Sequence, residues 1–153
     1  MAFETVDFSS FNMTFEFLLE DDLQGAKWCR RVLIVRFHGD FGYGSGGNET
    51  GAFMEAIVEA GIRSWDVDGV IVDLRDVTYE WGDMMELVLS AGDESRVEAA
   101  FVVGPKCEAA IGTLMHGLNS PRKSAIEFEY IFDDIDAAVD YLRSYVPKYD
   151  DPV

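Results

Sequence analysis

Five carboxylates lie between residues 73 and 86 and form the densest acidic cluster of the chain: Asp73, Asp76, Glu80, Asp83 and Glu86. Such a cluster could bind a divalent cation, because Ca²⁺ and Mg²⁺ prefer oxygen ligands. The spacing matches neither a calcium-binding loop nor an aspartyl-phosphatase pattern, so the sequence predicts no metal site here. A solvated acidic face that contacts another protein is the favoured interpretation.

A glycine-rich stretch, residues 39–51, is the second candidate site. It contains a GxGxxG match at residues 42–47, which between a strand and a helix is the pattern of a dinucleotide-binding loop. The match begins several residues after the predicted strand ends, no lysine follows it, and Asp40 and Glu49 would repel a pyrophosphate. The sequence therefore favours a flexible or partner-contacting loop over a nucleotide site. The candidate ligand residues of the stretch are Gly42, Gly44, Ser45 and Gly47.

His38 is the candidate acid–base residue beside this loop. It lies two residues before Asp40, and the two together could form a polarised base. No nucleophile accompanies it, since Ser45 lacks the GxSxG frame because position 43 is tyrosine. The favoured prediction is therefore that His38 is a surface or half-buried histidine and that the chain has no catalytic residue and no cofactor. The alternative is an enzyme or small-ligand-binding domain, loosely crotonase-like, that uses His38 and residues 39–51.

Charge dominates the composition, with 12 basic against 29 acidic residues and a net charge of −17. This surface repels phosphate backbones and anionic membranes, so we expect neither nucleic acid nor a membrane as partner. A basic protein is the partner that it favours, with adaptation to salt or solubility as the alternative explanation of the charge. Cys29 and Cys107 form no CxxC pair and predict reduced thiols. With no export signal in the first residues, the sequence predicts a soluble cytoplasmic protein.

The hydrophobic pattern predicts one α/β domain over residues 1–153, with its core at about 13–146 and an acidic tail at 149–153. The predicted order is ββαβαβαβα, a mainly parallel sheet with an antiparallel edge hairpin that turns at residues 20–27. The predicted strands are residues 13–19, 32–37, 70–74, 98–103 and 125–132. The predicted helices are residues 50–65, 83–91, 107–118 and 135–146.

Periodicity also predicts which side chains these elements bury. In the helix at 50–65, Glu55 and Glu59 fall outside the apolar stripe, and Asp134 is expected to cap the last helix. The residues expected to point inward are Ala110, Ile111, Leu114 and Leu118 in the helix at 107–118, Ile126, Phe128 and Tyr130 in the last strand, and Ala138, Leu142, Tyr145 and Val146 in the last helix.

The succession of elements over about residues 28–146 resembles the STAS domain family of anti-sigma-factor antagonists. In this sequence the succession is strand, helix, strand, DLRDVT, helix, AAFVVGPKCEAAIGTLMHGL and a last helix, DDIDAAVDYLRSYV. The resemblance implies a regulatory domain in which the strand at 70–74 is followed by a loop with a phosphorylatable serine at the N-terminus of the next helix. That helix end would dock on a partner kinase. Here Trp81, Gly82 and Asp83 occupy that place, and no hydroxyl lies between Tyr79 and Ser90. Asp83 is predicted to cap the next helix, with a fixed phosphate mimic as the alternative.

The sequence thus predicts a non-catalytic acidic domain that binds a basic protein partner. Its setting would be either that of a STAS-like antagonist or that of an immunity or antitoxin-type inhibitor. Trp81 is expected to be exposed and to anchor the contact. The predicted partner-binding residues are Trp81, Asp83, Asp76, Glu80, Glu86 and Tyr79.

Overall fold

A twisted sheet of five strands carries helices on both of its faces in the computed structural model, which describes residues 1–21, 29–122 and 124–145. The strands follow one another across the sheet in chain order, β1 antiparallel to β2 and all others parallel. They are β1 (Met13–Asp21), β2 (Arg31–Asp40), β3 (Gly69–Thr78), β4 (Glu98–Val102) and β5 (Ile131–Phe132). The helices are α1 (Asn48–Trp65), α2 (Met85–Leu89), α3 (Glu108–His116) and α4 (Ile135–Ser144), with 3₁₀ turns at Phe8–Ser10, Gly44–Gly47 and Ala125–Glu127.

The central strand β3 is buried on both faces over residues 69–74, which explains the apolar run at residues 70–72. Val70, Val72 and Leu74 belong to the larger core, beneath α1, α2 and α3. Ile71 points to the opposite face and packs with Leu142 of α4. The helices of the first face begin near the carboxyl edge of the sheet, where the loops that follow β2, β3 and β4 lie.

The predicted fold class is confirmed, including the element order and the antiparallel hairpin at the sheet edge. Helix α1 buries the predicted stripe except at Trp65, its last residue, which is 38% exposed. Asp134 caps α4 by accepting a hydrogen bond from Ala137 N at 3.2 Å. The predicted turn at residues 20–27, the inward Val146 and the acidic tail at 149–153 fall wholly or mostly outside the described residues. No helix in the described ranges is long and apolar enough to cross a membrane.

The last predicted strand, residues 125–132, is wrong over most of its length. Residues 125–127 form a 3₁₀ turn, and only Ile131–Phe132 pair with β4. The turn is fixed from α3, because the carboxylate of Glu108 accepts hydrogen bonds from Ser124 Oγ and Ala125 N. Ile126 is consequently exposed, although its alternation with Phe128 and Tyr130 predicts one buried face.

Helices α2, α3 and α4 are shorter than the periodicity predicts, α4 because it ends at Ser144. Helix α2 spans Met85–Leu89 only, and α3 ends at His116 because Gly117 follows with φ +92°. Leu118 therefore leaves the inward stripe and is 82% exposed, so its predicted burial is wrong. Glu59 departs in the opposite direction: it is buried, and its carboxylate accepts hydrogen bonds from Gly92 N at 3.0 Å and Ser95 Oγ at 2.6 Å.

Candidate functional site

The two stretches that the sequence offers as separate sites lie side by side. Because β2 and β3 are parallel neighbours, the β2–α1 loop (residues 41–47) and the β3–α2 loop (residues 79–84) leave the same edge of the sheet. Gly44 N donates to the carbonyl oxygen of Trp81 at 3.3 Å, and Tyr43 pairs with Trp81 as an isolated bridge. The Tyr43 hydroxyl donates to Glu80 Oε2 at 2.7 Å. We call this set of contacts the clasp.

The glycines of the clasp are required by close packing of protein against protein. Gly44 has φ +50°, and a Cβ there would lie 2.5 Å from Cη2 of Trp81, so the indole ring fills the space that a side chain would take. A Cβ on Gly82, at φ +138°, would lie 3.2 Å from the Gly44 carbonyl oxygen. A Cβ on Gly47 would lie 2.5 Å from Cε1 of Phe41. Close packing therefore accounts for these glycines of the glycine-rich stretch without a bound ligand.

Tyr79 supports the β3–α2 loop from beneath. Only 2% of it is exposed, so the structure places it in the core and not on a partner-binding surface. Its hydroxyl donates to the Gly82 carbonyl oxygen at 2.7 Å, and its N–H donates to the Lys106 carbonyl oxygen at 3.1 Å. Burial, reinforced by the charges of Asp83 and Glu86, raises the pKa of Tyr79 to about 12. The hydroxyl therefore stays protonated and holds the loop at neutral pH.

The exposed part of this edge is aromatic and acidic. Trp81 is 61% exposed, as predicted, and Glu80, Asp83 and Glu86 are exposed around it. Asp83 does not cap α2: the cap residue is Met84, without a side-chain hydrogen bond, and Asp83 contributes its carbonyl oxygen to Glu86 N at 3.0 Å. The Glu80 carboxylate takes part in the clasp, where it raises the pKa of Tyr43 through their hydrogen bond.

Asp73 does not belong to the acidic surface. It is 1% exposed on the α4 side of the sheet, where its carboxylate accepts from Arg36 Nε at 3.0 Å and from Arg75 Nη2 at 2.9 Å. The Arg75 N–H also donates to it at 3.1 Å. Burial opposes the charged form, but the hydrogen bonds from Arg75 and Arg36 outweigh it and hold the pKa of Asp73 below its ordinary value. Asp76 is exposed, but it lies within β3 in register with His38, short of the loops.

A groove separates the β3–α2 loop from α3. Its volume is about 760 Å³. Sequence reasoning assigned the α3 side of it to the core, yet Leu118 is largely exposed and Leu114 is half-buried. Gly117, as a helix-ending residue one position earlier, is the sequence signal that could have shown this. The lining residues are Tyr79, Glu80, Trp81, Gly82, Asp83, Glu86, Pro105, Lys106, Cys107, Ala109, Ala110, Thr113, Leu114, Gly117 and Leu118.

The residues of the alternative enzyme site are not brought together. Side chains alternate along a strand, so His38 points away from the face on which Phe37 packs beneath α1. The β2–α1 loop leads into α1 on the other face, and Ser45 lies exposed in it. Burial raises the pKa of the Cys107 thiol to about 11, so this thiol stays protonated at neutral pH. Among the described residues, no three histidine, cysteine or acidic side chains are placed to hold a metal ion.

Comparison with known proteins yields a structural match only. No protein-family model matches the sequence, and no curated protein sequence matches it significantly. One similar solved structure is the crystal structure of an anti-sigma factor antagonist from Mycobacterium paratuberculosis. The two share 15% sequence identity at a TM-score of 0.54, over 86% of this chain and 96% of that one. At this identity the similarity establishes the fold, and the chain has a STAS-like fold.

Proposed function

We propose that this chain is a non-catalytic regulatory domain that binds a basic protein through the surface around Trp81. The observation that carries the proposal is a tryptophan that is 61% exposed, with its backbone held by the clasp and its ring packed against Gly44. Exposed, rigid aromatics are typical centres of protein interfaces, because they offer a large contact area at little cost in conformational entropy. The fold agrees with this function, since the similar solved structure is that of an anti-sigma factor antagonist.

The charge around Trp81 defines the kind of partner. Glu80, Asp83 and Glu86 are exposed and line the same groove as Trp81, and the whole chain carries a net charge of −17. A basic partner would be attracted over a Debye length of ~8 Å at physiological ionic strength, which raises the association rate. Both an antagonist of an anti-sigma factor and an immunity-type inhibitor of a basic toxin satisfy this description, and either would act by occupying its partner.

Affinity capture from the cells that make the protein tests the proposal. Wild type, Trp81→Ala and Trp65→Ala serve as baits, and mass spectrometry identifies the captured proteins. Trp65 is the matched control, since it is 38% exposed but lies at the end of α1, next to the start of β3 and away from the clasp. Truncating an interface tryptophan costs ~2 kcal/mol or more, about 30-fold in Kd. We expect Trp81→Ala alone to lose the partner.

Two results would contradict the proposal. One is capture that is equal for wild type and Trp81→Ala while circular dichroism shows both to be folded. The other is an association rate for the captured partner that does not fall as salt rises, because charge attraction between exposed groups is screened by salt.

A further inference from the structure

We infer that the groove between the β3–α2 loop and α3 binds a basic amphipathic helix of the partner, with one apolar stripe seated against α3. This inference rests on the proposed function. It extends the proposed binding surface from Trp81 across the groove to α3. The groove has an apolar wall from α3 and an acidic wall from the β3–α2 loop, and each wall constrains the occupant separately.

The apolar wall fits a helix in length. Helix α3 has nine residues, about 13 Å at ~1.5 Å per residue. Ala109, Ala110 and Leu114 line the groove from this helix, and Leu118 extends the wall beyond Gly117. Apolar residues at positions i, i+3 or i+4, and i+7 of a partner helix span ~10 Å, so three successive anchors fit along it.

The walls also favour a helix over an extended peptide. An extended peptide that adds to a sheet needs an exposed strand edge with free N–H and C=O groups. Here one wall is a helix whose backbone bonds are internal, and the other is a loop held by the clasp and by Tyr79. A helical occupant satisfies its own backbone hydrogen bonds and asks only for apolar contact.

The acidic wall sets the charge of the occupant. Glu80, Asp83 and Glu86 line the groove, and among its described lining residues Lys106 is the one cation. Lysines and arginines that flank the apolar stripe of the partner helix would lie beside these carboxylates. An acidic helix of equal hydrophobicity would be repelled, so charge discriminates between helices that the apolar wall alone would accept.

Direct binding measurements on the full chain test this inference. The probe is a fluorescein-labelled, stapled peptide of about 15 residues, with leucines at i, i+3 and i+7 and lysines elsewhere. Its control has the same composition, with the leucines distributed around the helix. Leu118→Ser removes apolar contact from the groove, and Ile126→Ser is the matched protein control because Ile126 is 47% exposed and does not line the groove.

We expect the striped peptide to bind wild type and Ile126→Ser alike, and to bind Leu118→Ser at least ~10-fold more weakly, a loss of ~1.4 kcal/mol. The scrambled peptide should bind all three proteins weakly. Equal affinity of the two peptides for wild type would overturn the inference, because it would show charge attraction alone. Equal affinity of wild type and Leu118→Ser for the striped peptide would do the same, as would the absence of saturable binding.

The partner found by affinity capture separates this inference from the proposed function. If Trp81→Ala loses the partner while Leu118→Ser retains it and the striped peptide fails to displace it, the groove is not the helix site and the proposed function stands. If Trp81→Ala retains the partner, the proposed function itself is wrong, whatever the peptide does.

Discussion

Replacing Gly44 by alanine tests whether the clasp holds Trp81 in place. The new Cβ would lie 2.5 Å from Cη2 and 2.9 Å from Cζ3 of the indole, well inside van der Waals contact, so the ring must move. Gly44 also has φ +50°, where a residue with a Cβ costs ~1–2 kcal/mol. The ring is 61% exposed, so its displacement removes little buried contact, and the backbone cost should dominate the loss of stability.

The matched control is Gly46→Ala, since nothing lies within 4 Å of a Cβ built there. We expect urea denaturation to show a loss of ~1–2 kcal/mol for Gly44→Ala and a change within ~0.5 kcal/mol for Gly46→Ala. Acrylamide quenching of Trp81 fluorescence, with Trp28 and Trp65 replaced by phenylalanine, should increase only in Gly44→Ala. Equal stability and equal quenching in the two variants would refute the conclusion that the indole of Trp81 packs against Gly44.

Further predictions concern the groups beneath the surface. Asp73→Asn should lower the free energy of unfolding by about 2–4 kcal/mol because it leaves two arginines without their buried partner, whereas exposed Glu16→Gln should cost ~0.5 kcal/mol or less. Since the pKa of Asp73 is lowered in the folded state, the wild-type advantage over Asp73→Asn should be complete above pH ~4 and shrink as pH falls further; urea titrations that show a constant gap from pH ~4 to ~2 would contradict this. Tyr79→Phe should cost ~1–2 kcal/mol by leaving the Gly82 carbonyl oxygen without its donor, against ~0.5 or less for the exposed Tyr43→Phe.

The sheet and the helices that cover it were predictable because their signals are local and strong. The run at residues 70–72 is apolar without alternation, which indicates a strand covered on both faces, and α1 has an apolar stripe of four turns. Crossover rules then leave few topologies for alternating strands and helices.

The errors lie where a distant group decides the local structure. Residues 125–132 alternate as an edge strand should, but Glu108, seventeen residues earlier in the chain than Ala125, binds the backbone and turns it. Glu59 has the polarity of a surface residue, but its carboxylate is used to fix the turn around Gly92. Asp73 was predicted to belong to an exposed acidic cluster, but it pairs with Arg36 of the neighbouring strand.

The residues of the candidate site were predictable from the sequence, but the contact between its two loops was not. Sequence offers Trp81 and the glycine-rich loop as rival sites with different chemistry, because their residue numbers are far apart. Parallel pairing of β2 and β3 brings them to one edge, where the indole occupies the space above Gly44. The two predicted sites are therefore one surface, and the glycines allow its two loops to pack closely.

This construction bears on how the surface is regulated. Between residues 79 and 90 the hydroxyl groups are those of Tyr79, which is buried and bonded to Gly82, and Ser90, which donates to the Leu87 carbonyl oxygen at 2.8 Å. Neither presents a free hydroxyl on the surface where Trp81 lies, and the clasp joins the two loops of that surface. We therefore expect partner binding here to be governed by the concentration of the partner and by ionic strength. The carboxylates of Asp83 and Glu86 belong to the sequence itself, whereas a phosphoryl group would have to be added and removed.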